Sequence, residues 1–171
     1  MSSVVESLQA SSERRGNLAG QSRAAVIDVL FPLVDEQDWP PYPAETIDAV
    51  LIAHDLAEIQ GIPWFVTNIS RGDIVRVRRD GVGYVGGPLV SGGGHSTIHV
   101  LATAEAELAP IVHNLTALGA TVLSGLTPPM LTVDVPESVS LAKILDLLAK
   151  AESLTCAFNI ACRQHRQPVQ R

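Results

Sequence analysis

The spacing of apolar residues changes once along the chain, and the change falls at residues 91–101, SGGGHSTIHVL. Before that stretch, apolar positions come in short runs or alternate with polar ones, the two-residue period of strands. After it, apolar residues also recur at three- and four-residue steps, the period of amphipathic helices. Upstream, residues 25–34 (AVIDVLFPLV) and 45–53 (ETIDAVLIA) are rich in β-branched and apolar side chains. Residues 59–69, around Ile62-Pro63-Trp64-Phe65-Val66, predict a third strand. Residues 74–78 alternate apolar against basic, and 82–90 read as a strand interrupted by glycines. Ser70-Arg71-Gly72-Asp73 and Asp80-Gly81 punctuate these runs as turns. Short strands at this spacing predict a small, curled, barrel-like sheet.

Downstream, residues 96–101 predict a strand, followed by a helix capped by Thr103, with Leu108, Ile111, Val112, Leu115 and Leu118 on one face and Gly119 at its end. Residues 121–126 and 130–135 read as strands around Thr127-Pro128-Pro129. A second helix starts at Pro136-Glu137-Ser138 with Leu141, Ile144, Leu145 and Leu148 as its stripe, and 155–162 is a last strand. The order is that of a ferredoxin-like βαββαβ unit. The expected architecture is therefore α+β, a small β-rich, barrel-like subdomain (25–94) followed by a ferredoxin-like subdomain (95–163). Residues 1–24 read as a disordered leader and 164–171 as a polar tail. Two helices cover one face of the second sheet. The other face, to which Leu101, Leu123, Met130, Phe158 and Ile160 are assigned, is too apolar to stay wet. It is expected to pack on the N-terminal sheet or on a second copy, so a homodimer is one expectation.

Composition narrows the function classes. The 171 residues carry a formal net charge of -6, with 46% hydrophobic and 18% charged residues. This suits a folded, soluble chain and offers no general attraction to nucleic acid or anionic membranes. The one basic run, Arg76-Val77-Arg78-Arg79, reads as the solvated face of a strand. No apolar run approaches a membrane span, and the N-terminal residues lack the apolar core of a secretory signal. Cys156 and Cys162, six apart and so expected on one face of a strand, fit neither a disulfide nor a zinc site. They read as buried thiols in a reducing, cytoplasmic setting.

Several motifs carry candidate chemistry. Gly81-Val82-Gly83-Tyr84-Val85-Gly86 has the letters of a dinucleotide fingerprint, but Gly87-Pro88 and a strand-like run follow where the phosphate-binding helix belongs. No cofactor is therefore expected. Asp35, Glu36 and Asp38 lack the partners of a calcium loop and read as a solvated acidic turn, so no metal site is expected. His95, between glycines and hydroxyls, is the first candidate for proton transfer, with Thr97 on the same face. The plainer alternative is that Gly94-His95-Ser96-Thr97 is a tight turn whose side chains cap backbone groups on entering the strand, and Gly93, Gly94 and Ser96 are candidate ligand-binding positions beside it. His99 and Asp134 are expected on neighbouring strands, where a carboxylate would orient the imidazole. Trp39 and Tyr42, in the proline-rich loop, and Trp64 supply aromatic surface for a ligand groove, with core packing the competing role for Trp64 and Phe65.

One resemblance adds to these readings. Val29-Leu30-Phe31-Pro32-Leu33, Ile62-Pro63-Trp64-Phe65, Ile69-Ser70-Arg71-Gly72-Asp73-Ile74-Val75 and Gly94-His95-Ser96-Thr97, in that order, resemble the bacterial domain of unknown function family 4265. The glycine-rich 81–94 stretch departs from that pattern. The resemblance implies a bacterial, intracellular protein and supplies no catalytic residue. The function expected from the sequence is an accessory module that binds a small molecule or a protein segment between the 40–43 loop and the 92–97 segment. The alternative is a small cofactor-independent tailoring enzyme using His95 as general acid/base.

Overall fold

The computed structural model describes residues 25–34, 39–81, 83–125 and 129–165. The expected leader at 1–24, the acidic turn of Asp35, Glu36 and Asp38, residues 126–128 of the proline connection and 166–171 of the polar tail lie outside the described residues. The fold is mixed α+β. Strands β1 (Ala25–Pro32), β2 (Ala44–Ala53), β3 (Leu56–Ile59), β4 (Ile74–Asp80) and β5 (Gly83–Ser91) form a closed barrel. Successive strands pair antiparallel, and β5 returns to β1 in parallel at Val29↔Tyr84 and Leu30↔Val85. Parity requires this: five alternating strands leave the first and last pointing the same way. Val29, Phe31, Ile47, Ile59, Val75 and Val77 fill the interior. Gly86 makes room for the ring of Phe31, which any β-carbon there would overlap.

The strand expected at 59–69 is a loop instead. Only Leu56–Ile59 pairs, and the chain then runs without a ladder to β4. Pro63 has no N–H to give a neighbouring strand. The next three N–H groups, of Trp64, Phe65 and Val66, are taken by the Glu45 carboxylate at 2.6, 2.9 and 2.9 Å. Val66 and Ile69 still turn inward and pack in the barrel core.

The remaining elements are β6 (Ser96–Ala102), α1 (Glu105–Ala117), β7 (Thr121–Ser124), β8 (Met130–Val135), α2 (Leu141–Ala151) and β9 (Cys156–Cys162). Their sheet has the order β7-β8-β6-β9, with every neighbouring pair antiparallel. Leu108, Ile111 and Leu115 of α1 and Leu141, Ile144 and Leu148 of α2 are buried in one core with Ile98, Val100, Leu131 and Val133. The helix starts differ from expectation. Ala104, not Thr103, occupies the α1 N-cap and makes no side-chain cap bond. The second helix begins only at Leu141, where Ser140 accepts a hydrogen bond from the Lys143 N–H at 3.4 Å. No helix among the described residues is long and apolar enough to cross a membrane.

A bulge in β9 changes which residues face where. Ile98 pairs with Ile160 and Thr97 with Cys162, leaving Ala161 as the extra residue. Cys156 therefore lies in the helix-side core, while Cys162 sits opposite Thr97 on the other face. Both are buried free thiols, but they do not share a face as their spacing suggested. Phe158 packs against the helix-side core and Ile160 lies opposite Ile98, so neither belongs to the helix-free face. That face presents Thr97, His99, Met130, Thr132 and Asp134, all buried. The loop between β3 and β4 meets it: Thr132 Oγ1 donates to the Pro63 carbonyl at 2.6 Å, and the Asn68 N–H donates to the Ala161 carbonyl at 2.8 Å.

Candidate functional site

The stretch where the hydrophobic period changes is the seam between barrel and second sheet. Asp73 is fully buried there. Its carboxylate accepts from the Ser70 N–H at 2.8 Å, from the Gly93 N–H at 2.7 Å and from Gln164 Nε2 at 2.6 Å. Gln164 Oε1 in turn accepts from the Gly94 N–H at 3.0 Å. A β-carbon at Gly93 would overlap the backbone of Gly72, so the two chains approach as closely as only glycine permits. The Thr97 and Ser70 hydroxyls lie 2.8 Å apart, both fully buried. Burial pushes the Cys162 thiol up from its ordinary range, with a smaller opposing effect of its bond to Ser70. Thr97, Gly93 and Gly94 are thus committed to the seam.

Ser96 is also committed. Its hydroxyl lies 2.7 Å from His165 Nδ1 and accepts from the Gln164 N–H at 3.0 Å. His165 Nε2 lies 3.0 Å from the carbonyls of Pro136 and Val139, so that nitrogen carries the hydrogen and Nδ1 accepts from Ser96. With Ser96 buried, this pair ties the chain after β9 into the fold.

His95 is different. Its Nδ1 lies 2.7 Å from Asp134 Oδ1; the Asp134 side chain is 1% exposed and that of His95 25%. Register explains the contact: Thr97 lies opposite Asp134, and His95, two residues earlier, reaches it along the diagonal. His99, expected to be the partner of Asp134, instead faces Thr132, and its Nε2 lies 3.4 Å from the Pro63 carbonyl. Burial lowers the His99 pKa from its ordinary value, partly offset by that bond, which favours the neutral ring. A buried carboxylate holding a partly exposed imidazole is the arrangement that orients a proton-transfer group. The second oxygen of Asp134 is buried without a protein partner among the described residues.

The aromatic residues form a second candidate surface. Phe65 lies between Trp39, 5.7 Å away at 71°, and Tyr42, 5.6 Å away at 53°. Trp39 is 36% and Tyr42 49% exposed, whereas Trp64 is half-buried. The Glu45 carboxylate fixes the backbone of residues 64–66, which carries Phe65. Sequence reasoning missed Glu45, Asp73, Gln164 and His165. The one legible sign was Asp73 closing the Ser-Arg-Gly-Asp turn; nothing local marks a strand glutamate as the anchor of a loop nineteen residues on. Among the described residues no group of three or more His, Cys, Asp and Glu side chains is placed to hold a metal ion.

A closed five-stranded barrel joined to a sheet with two helices places the chain among mixed α+β proteins. The chain belongs to the family described as Domain of unknown function (DUF4265), whose model matches residues 45–157. Among solved structures it is similar to a hypothetical protein from Neisseria gonorrhoeae, with a TM-score of 0.61 and 17% identity over 84% of this chain and 98% of that one. At that identity the likeness is one of fold. No curated protein matches.

Proposed function

We propose that the protein is a binding module whose recognition surface is the Trp39–Tyr42–Phe65 cluster. Two large aromatic side chains, Trp39 and Tyr42, stay exposed while packing against Phe65, whose own loop is held by three hydrogen bonds from residues 64–66 to the buried Glu45 carboxylate. Rigid aromatic surface gives contact area without an ordering penalty on binding. That observation carries the reading. The Gly92–Gly94 side of the expected cleft contributes less, because the Gly93 and Gly94 amides are already bonded to Asp73 and Gln164. We further propose the division into a β-rich subdomain at 25–94 and a ferredoxin-like one at 95–163. Its support is the strand order β7-β8-β6-β9 with antiparallel neighbours and a helix in each crossover. Two buried free thiols suit a reducing bacterial cytoplasm, and the charge of -6 suits neither nucleic acid nor anionic membrane as partner.

Native mass spectrometry of the chain purified gently from bacterial lysate tests the reading. The expected result is a stoichiometric small-molecule adduct that leaves on unfolding and is absent from Trp39→Ala and Tyr42→Ala. An adduct kept by both variants would move recognition elsewhere, and a clean apo protein would count against small-molecule binding.

The His95–Asp134 pair favours a second reading, a cofactor-independent enzyme with His95 as general acid/base. In that case incubation with bacterial metabolite extract depletes one component, and His95→Ala and Asp134→Asn abolish the depletion while leaving the melting temperature within a few degrees. Depletion that survives both variants would remove this reading.

A further inference from the structure

We propose that the outer face of the two helices is an interface between two copies of this chain, joined about a two-fold axis with α2 antiparallel to its counterpart. Between α1 and α2 runs a groove of about 790 Å³. Ile111, Leu118, Leu147 and Ala151 give it apolar walls, and the charged residues Glu107, Lys143, Asp146 and Lys150 also line it. Leu118 is exposed and Leu147 and Ala151 are half-buried, so part of this apolar surface stays wet in the single chain. None of the four charged groups takes part in an ion pair among the described residues. Glu107 is the least satisfied. Its Oε1 accepts from the Thr155 hydroxyl at 2.7 Å, while Oε2 is buried without a partner among the described residues.

The charges select the occupant. An acidic or a basic partner would meet as many groups of its own sign as of the opposite one. A second copy meets both signs in register if the pattern is self-complementary under a two-fold axis, and along α2 it is. Lys143 and Asp146 are three residues apart, so they share a face about 4.5 Å apart along the helix axis. An antiparallel counterpart centred between Ile144 and Leu145 sets Lys143 opposite Asp146 of the second copy, and Asp146 opposite the second copy's Lys143. One contact thus makes two equivalent ion pairs. The same arrangement serves Glu107. Its bond to Thr155 holds it at the carboxyl end of α2, which closes at Glu152. Antiparallel packing brings that end against the amino end of the other α2, where backbone N–H groups are open to a carboxylate.

The test is sedimentation equilibrium of the full chain and of two charge reversals, Lys143→Asp and Asp146→Lys. Both side chains are exposed, so each variant is expected to keep the melting temperature of the unaltered chain within a few degrees. The unaltered chain is expected to be dimeric at about 100 μM, a concentration that populates even a weak specific contact. Each reversal alone sets like charges opposite each other twice, and is expected to weaken the dimer by about tenfold or more. An equimolar mixture of the two variants is expected to recover the affinity of the unaltered chain within about threefold, because each carries the charges that the other lacks. A monomeric unaltered chain would overturn the proposal. A dimer indifferent to both reversals would place the contact elsewhere on the molecule. A mixture that associates no more tightly than its components would overturn the two-fold pairing of Lys143 with Asp146.

Discussion

At the scale of single residues, the largest effects belong to buried polar groups that organise backbone. Glu45 satisfies three consecutive N–H groups that have no strand to pair with. Glu45→Ala leaves those donors dependent on whatever water can enter, and the expected loss is about 2–4 kcal/mol of unfolding free energy. Glu45→Gln keeps the length but turns one donor toward donors, and is expected to lose about half as much. Urea denaturation measures both, and a loss below about 0.5 kcal/mol for the alanine variant would show that the carboxylate does not hold the loop. His99 supplies a pH dependence. Its pKa in the folded protein is lowered below the ordinary 6.5 by burial. On acidification the unfolded chain therefore takes up the proton first, so the stability present above pH 6.5 drains as pH falls through and below that value. Melting temperature should fall between about pH 7 and 5, and His99→Gln, which keeps a donor for the Pro63 carbonyl without titrating, should flatten that part of the profile. An unchanged slope would mean that other groups set it.

At the scale of elements, the interesting failures of sequence reasoning are failures of register. Alternation correctly placed β6 and β8 as strands, and topology correctly made them neighbours, so a histidine near Asp134 was legible. Which histidine was not. Alternation puts both His95 and His99 on the face of Thr97, and only the pairing of Thr97 with Asp134 decides between them. That offset is fixed by where β8 begins after the proline connection, a tertiary fact with no local trace. The Cys162 and Phe158 placements failed for a related reason. One extra residue at Ala161 reverses the alternation, and a bulge there leaves no mark in a run of small and apolar side chains. The 59–69 loop was misread because its apolar residues really are buried; they plug the barrel without pairing. The helices were legible because their stripes are long and strongly periodic, although the second starts five residues later than Pro136 suggested. The seam supplies a prediction at this scale. Gly93→Ala forces the β5–β6 connection away from Gly72 and stretches the Gly93–Asp73 bond. Amide exchange at residues 70–73 and 92–94 should accelerate about tenfold or more, while the α1–α2 core exchanges as before. Protection unchanged at the seam would mean that the close approach is incidental.

At the scale of the whole molecule, the question is whether barrel and second sheet fold as one unit, and the seam gives a magnitude. Among the described residues at least five residue pairs cross it with hydrogen bonds, including Pro63 with Thr132, Pro63 with His99, Asn68 with Ala161, Ser70 with Thr97 and Asp73 with Gln164. At about 1 kcal/mol net each, parting them loses on the order of 5 kcal/mol. It also wets Met130, which is 1% exposed, and strips the cover from a fully buried carboxylate. For a chain of this size the total stability is about 5–15 kcal/mol, so neither half retains much margin once the seam opens. The loop between β3 and β4 meets this sheet face from within the chain, through Pro63 and Asn68. The two halves carry separate reporters: both tryptophans, Trp39 and Trp64, lie on the barrel side, and both helices lie in the other half. Thermal unfolding followed by tryptophan fluorescence and by far-ultraviolet circular dichroism should therefore give coincident midpoints, within about 2 °C. Asp73→Ala, which unties Ser70, Gly93 and Gln164 at once, should lower both midpoints and draw them apart. Two well-separated transitions in the unaltered protein would mean that the halves are independent domains and that the seam hydrogen bonds are too weakly coupled to join them.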